Sequence, residues 1–256
     1  MAINSPFESA RRKIARAKKH LDDLTREIRT FVESGAYEQV KEDDPNRPGY
    51  TLHKIKLIKA IPISIEDSAG DCIDNLRGAL DHACYGAAIA SGNPNPRNAY
   101  FPFAGDAERL ETAIKGNSKD VPQEIYPLFR RLAPYKGGDE LLWTLNLLCV
   151  ADKHKIITPM GTGGILSPSI NLKGTGFFEL PFNPIWDRAK QEMTIITLGP
   201  GAKYDYHLQF ILFVAFDNVG AASGKAVRGF LWQTMAYIEQ IISAIEAETR
   251  RAGFLT

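Results

Sequence analysis

The chain has 256 residues, 44% hydrophobic and 10% aromatic, so it can bury a substantial core and is not a disordered sequence. Its 31 basic and 30 acidic residues leave a net charge of +1, which excludes a domain that is basic throughout; a nucleic acid would have to be met by a local patch. No apolar run reaches membrane-spanning length, and the opening MAINSPFESARRK lacks the apolar core of a signal peptide, so a cytoplasmic protein with no membrane partner is expected.

The first element is a helix announced by Ser5-Pro6-Phe7-Glu8, with a capping hydroxyl, a proline at the first helical position and a glutamate three residues after the cap. Apolar residues recur at Ala10, Ile14, Ala17, Leu21, Leu24, Ile28 and Phe31, a narrow seam suited to helix pairing. The other faces carry Arg11, Arg12, Lys13, Arg16, Lys18 and Lys19, read as a solvated surface with a nucleic-acid contact as the alternative. Gly35 stops this helix. Residues 37–42 and 50–60 form a predicted hairpin around the turn-rich stretch from Asp43 to Gly49.

A second helix is expected from Ser64, capped with Asp67, to Ala90, where Ser-Gly-Asn-Pro-Asn-Pro ends it. Short helices follow around 106–116 and 122–132. A third long helix, about 139–154, is apolar on nearly every side and so predicted to be buried. Beyond residue 155 the texture changes to glycine, proline and β-branched residues, with strands expected at 192–198 and 204–216. A final helix over about 222–251 presents Val227, Phe230, Leu231, Met235, Ile238, Ile241, Ile242 and Ile245. No repeat or linker divides the chain. The expected fold is α+β, a single compact unit of long amphipathic helices and an antiparallel sheet, with a helical part at about 1–155, a β-rich part at about 156–216 and the C-terminal helix. Cys72, Cys84 and Cys149 sit among apolar helical residues and form no CxxC pair, so reduced, buried thiols are expected.

The second helix carries the chemistry. At 100° per residue, Ile65, Ala69, Cys72, Ile73, Leu76, Ala79, Leu80 and Ala83 fall on one side. Asp71, Asp74, Asn75, Arg77, Gly78, Asp81, His82 and Tyr85 fall on the other. From Gly70 to Ala90 there is neither Lys nor Glu, unlike an ordinary solvent face, and Gly78 costs about 1 kcal/mol against alanine in mid-helix. A glycine there fits a close approach by a helix, a ligand or a second subunit. Arg77 lies three residues after Asp74 and four before Asp81 and can reach either carboxylate.

Three readings stay open at this point. In one, Arg77 bridges the two aspartates and His82 bonds a neighbouring loop, a polar network that fixes helix docking. In the second, Arg77 holds a phosphodiester and His82 moves a proton. In the third, Asp74, Asp81 and His82 join Asp152 and His154 around a metal in a phosphoesterase or hydrolase, although no HExxH or paired Cys/His spacing marks a metal site. Asp152-Lys153-His154 ends the third helix, where cations suit the dipole; as functional groups, Lys153 would contact phosphate and His154 would be a second acid or base.

The stretch LRGALDH, with Phe101-Pro102-Phe103 and Asp152-Lys153-His154-Lys155 after it, resembles an uncharacterised bacterial protein family with LRxALDH and DKH signatures. The spacing from Arg77 to His82 also resembles the Arg-x4–6-His motif of the HEPN ribonucleases, which lies on a helix of an α-helical domain. Here Gly78 follows the arginine where that family usually has a polar residue. The HEPN resemblance implies metal-independent RNA cleavage with no cofactor, Arg77 clamping the phosphate and His82 exchanging the proton of the 2′-hydroxyl or leaving oxygen. Asp81 would orient Arg77. It also implies a homodimer in which two copies of the motif meet, with the first helix's seam and the Gly78 face as candidate contacts. The non-catalytic alternative is a binding or interaction protein whose polar stripe is structural.

Overall fold

The computed structural model describes residues 5–150, 162–163, 171–181, 186–187, 189–207, 212–216 and 220–255. Its element order is α1 (Glu8–Glu33), β1 (Tyr37–Asp43), β2 (Thr51–Leu57), α2 (Ile63–Ala90), α3 (Ala107–Asn117), α4 (Tyr126–Leu132), α5 (Glu140–Val150), β3 (Thr162–Gly163), β4 (Asn171–Thr175), β5 (Phe178–Glu179), β6 (Glu192–Leu198), β7 (Lys203–His207), β8 (Leu212–Phe213) and α6 (Val227–Arg251). The architecture is α+β. Among the described residues no helix is long and apolar enough to cross a membrane.

Helices α1, α2 and α6 pack pairwise and form the main core, because each carries an apolar stripe too wide to leave in water. The predicted seam of α1 is buried at Ala10, Ile14, Ala17, Leu21, Leu24 and Phe31, and the apolar set of α6 is buried in full. All eight residues assigned to the inner side of α2 are buried. Each fully buried Leu or Ile in this core contributes about 1.5–3 kcal/mol of transfer free energy. Since the α1 seam is used up within the chain, it is not available as a contact between copies.

The hairpin β1–β2 pairs in antiparallel register from Tyr37↔Leu57 to Asp43↔Thr51. Asp44 closes its turn, accepting from the Asn46 amide at 2.9 Å and from Arg47 Nε at 2.7 Å. β6 lies beside β2 and β5 beside β6, so the late β-rich stretch completes the early hairpin as one antiparallel sheet, β1-β2-β6-β5. A second, smaller core of Ile55, Trp186, Met193, Ile195, Ile196 and Leu198 covers it. The Tyr37 ring joins the two cores, edge-on to both Phe31 and Trp186.

Several boundaries differ from expectation. α2 begins at Ile63 directly after Pro62, whose extended backbone ends the preceding segment, and no side chain caps it; the predicted Ser64–Asp67 capping pair does not form. The expected helix at 122–132 is a 3₁₀ turn, Gln123–Ile125, followed by α4 with proline in its first turn. The single strand expected at 204–216 is two, β7 pairing with β4 and β8 with β3. The C-terminal helix starts at Val227, because Gly224 takes a positive φ and residues 223–226 instead bridge to 215–216. α5 buries one side only, through Leu142, Thr144, Leu145 and Leu148, while Val150 is exposed. The cysteines are free thiols; Cys72 and Cys84 are buried and Cys149 half-buried, with burial pushing the Cys72 thiol up to about 12.

The close backbone approach predicted at Gly78 occurs one helical stretch later. A Cβ on Gly86 would sit 2.6 Å from the Pro6 carbonyl oxygen, where α1 enters against α2. A Cβ on Gly78 would meet only the Lys13 side chain, at an ordinary 3.5 Å. Gly86→Val is therefore expected to destabilise by about 2–3 kcal/mol through overpacking. Gly78→Ala is expected to stabilise by about 0.5–1 kcal/mol through helix propensity. Thermal melts of the two variants check both signs.

Candidate functional site

The polar stripe of α2 divides into two sets with different neighbours. One set is closed. The Arg77 guanidinium lies over the Phe103 ring, 4.4 Å from its centroid, and its Nε donates to Asn146 Oδ1 at 3.5 Å. Nη1 stands 2.6 Å from Asp81 Oδ2 but off the line of a hydrogen bond, so the contact is an ion pair between side chains only 19% and 25% exposed. The other carboxylate oxygen of Asp81 accepts from the Phe101 amide at 2.9 Å. Arg77 and Asp81 thus tie α2 to α5 and to the chain entering Phe101-Pro102-Phe103. Asp74 joins this side, its Oδ1 3.4 Å from Cys149 Sγ of α5. Of the two carboxylates within helical reach of Arg77, the ion pair is with Asp81; among the described residues none joins Arg77 to Asp74.

The other set is open. His82, Gly78, Asp81 and Tyr85 line a cleft of about 530 Å³ with Ser9 and Lys13 of α1 and with Pro96, Arg97, Ala99 and Tyr100. Helix pairing explains the meeting of Lys13 with α2: the α1 seam faces α2, and Lys13 flanks it. Lys13 Nζ donates to Asn75 Oδ1 at 3.3 Å, while Asn75 Nδ2 donates to the Asp71 carbonyl at 2.8 Å. Elsewhere on the basic face of α1, Arg11 pairs with Glu246, Arg12 with Glu8 and Lys18 with Asp22. Lys13, Arg16 and Arg97 form no ion pair among the described residues.

The cleft is therefore cationic, since its one carboxylate, Asp81, is already engaged by Arg77 and the Phe101 amide. The His82 ring is half-buried and makes no hydrogen bond among the described residues. Burial, then the charge of Lys13, holds its pKa below the ordinary 6.5; Asp81 pulls the other way, and Arg16 adds a smaller push down. His82 is a neutral imidazole near pH 7, able to accept a proton.

The strand of chain over the cleft is held firmly. The amides of Arg97 and Asn98 both donate to Asp120 Oδ2, at 2.7 and 2.9 Å. The Tyr100 amide donates to the Asn117 carbonyl, and Ser118 Oγ donates to the Tyr100 carbonyl at 2.6 Å.

The structure thus separates the two residues assigned to catalysis. His82 faces the cleft; Arg77 is not among the cleft-lining residues and is packed on Phe103. Asn75 reaches the cleft only through Lys13. Asp152, Lys153 and His154 lie outside the described residues. Among the described residues no three His, Cys, Asp or Glu side chains converge as metal ligands. The sequence does not place Lys13, Arg97 and Tyr100 beside His82. Lys13 was visible as one of six cations on α1, but only the packing angle singles it out; Arg97 and Tyr100 sit in a loop whose path no periodicity encodes. No protein-family model, no curated protein and no solved structure matches the chain.

Proposed function

We propose that the cleft between α1, α2 and residues 96–100 binds RNA and that His82 cleaves it without a metal. The observation that supports this most is the placement of a neutral imidazole beside cations that have no carboxylate partner among the described residues, Lys13 and Arg97 on the cleft and Arg16 nearby. Neutral His82 takes the proton of a ribose 2′-hydroxyl, the 2′-oxygen attacks the adjacent phosphorus, the bond from phosphorus to the 5′-oxygen breaks, and that oxygen takes a proton from water. Lys13 and Arg97 hold the phosphate and stabilise its developing charge. Arg77 is a positioning residue, fixing Asp81 and through it the Phe101 amide. A homodimer that faced two clefts across the Gly78 side, the arrangement the HEPN resemblance implies, would bring two copies of His82 to one RNA.

The test incubates single-stranded RNA with the protein in EDTA and compares it with the Lys13→Gln/Arg97→Gln double variant. Cleavage that survives EDTA and falls about 10–100-fold in the variant supports the reading, in line with the loss of charge-assisted contacts. RNA binding with no cleavage favours a non-catalytic binding protein, the reading for which the closed Arg77 network speaks. Mass in solution reads the dimer.

The pH profile is a further check. A base works only when neutral, so activity falls as pH drops through the His82 pKa, below 6.5. Lys13→Gln removes a positive neighbour and favours the imidazolium. The acid limb of the variant is therefore expected to move up, toward 6.5; a limb that stays put or moves down disconnects Lys13 from His82.

A further inference from the structure

The cleft holds two aromatic rings that the chemistry above does not use. Tyr85, on α2, is 42% exposed and Tyr100, on the anchored loop, is 52% exposed. Both line the same cleft as Lys13, Arg97 and His82. Neither hydroxyl makes a hydrogen bond and neither ring packs on another aromatic ring among the described residues. Tyrosines left this open present apolar ring faces to whatever enters the cleft. The backbone behind them is rigid: Tyr100 is held by hydrogen bonds to both its amide and its carbonyl, and the next amide is held by Asp81. A tyrosine on a held backbone has only its two side-chain torsions to lose when a ligand stacks on it.

Aromatic faces beside a cationic track are what unpaired nucleotides require. Bases stack on rings while the backbone follows the charges, without base-specific hydrogen bonds. A duplex cannot use such faces, because its bases are already stacked on each other. The volume of about 530 Å³ is that of a small-molecule site, not of a groove that takes a helix.

We infer that the cleft selects unpaired RNA, with bases stacking on Tyr85 and Tyr100 while the phosphate between them and His82 rests against Lys13 and Arg97. The inference rests on the reading of the cleft as an RNA site and adds strandedness and two specificity-determining residues to it.

The experiment measures binding of a fluorescein-labelled, uncleavable 2′-O-methyl RNA oligomer by anisotropy, single-stranded and as its duplex. Wild type, Tyr85→Leu, Tyr100→Leu, the two Tyr→Phe variants and Lys13→Gln/Arg97→Gln are compared, each with a thermal melt. The expected result is tighter binding of the single strand, a loss of about tenfold for each leucine variant on the single strand with little change on the duplex, and wild-type binding by the phenylalanine variants. Equal binding of both RNA forms with no loss in the leucine variants overturns the inference, while a loss in the Lys13/Arg97 variant would still sustain the RNA site. Phenylalanine variants as weak as the leucine ones also overturn it, because hydroxyls and not rings would then carry the contact. Binding of neither RNA form by the wild type overturns both the inference and the reading beneath it.

Discussion

His82→Ala is expected to lower the rate of RNA cleavage by about 10²–10⁴-fold, the range that removal of a positioned general base produces. The ring is half-buried and forms no hydrogen bond among the described residues, so the variant should fold with a melting temperature close to that of the wild type. The loss belongs to the chemical step. Single-turnover rates at saturating RNA should drop while the binding constant stays within a few fold, because Lys13 and Arg97 still hold the phosphate. A variant that cleaves at the wild-type rate removes His82 from the mechanism. A variant that loses binding and rate together would make the histidine a part of the binding surface only.

The second large effect is on stability. Asp81→Ala should cost about 2–3 kcal/mol, because it strands two groups at once: the Arg77 guanidinium, 19% exposed, and the Phe101 amide. Arg77→Met should cost less. It keeps an apolar stem on Phe103 and leaves Asp81 its amide contact. Urea unfolding of the two variants gives the order directly. The same pair separates two mechanisms. With Arg77 as phosphate clamp, as the HEPN resemblance implies, Arg77→Met would lose activity in proportion to transition-state stabilisation, about 10²-fold or more. With Arg77 as a positioning residue, the methionine variant retains most of its cleavage at temperatures where it is folded.

Much of the fold could be read from the chain because its signals are local and repeated. The α1 seam, the inner side of α2 and the stripe of α6 follow helical period, and burial matches them residue by residue, with Ile28 only partly covered. The β1–β2 hairpin was legible from two β-prone runs around a turn. What the chain did not disclose is long-range. Nothing near Glu192–Leu198 says that this strand pairs with Thr51–Leu57, far back in the sequence, and nothing in 204–216 says that its ends join different partners. Ser64 does not cap α2 because the helix already begins at Ile63, with Pro62 at the cap position and Ser64 inside the first turn.

The candidate site was half legible for the same reason. Composition marked α2 as unusual, and helical spacing allowed Arg77 either Asp74 or Asp81, of which it pairs with Asp81. Arg77 and His82 are five residues apart, about 140° around a helix, which leaves room for two different environments on one polar side. Phe103 and Asn146 take Arg77 to one of them, and Lys13 makes the other, although these residues lie outside the motif. Gly78 shows how position can mislead: a glycine in mid-helix invites a partner, yet the tight approach falls at Gly86.

The central claim, that His82 drives attack by a ribose 2′-hydroxyl without a metal, has one most direct measurement. A single-stranded RNA and the same strand with one 2′-deoxy residue are incubated with the protein in EDTA, and the fragment ends are identified by mass. The fragments are expected to end in a 2′,3′-cyclic phosphate facing a 5′-hydroxyl, with no break at the 2′-deoxy residue. Intact RNA in EDTA, or cleavage that continues at the 2′-deoxy residue, would contradict it.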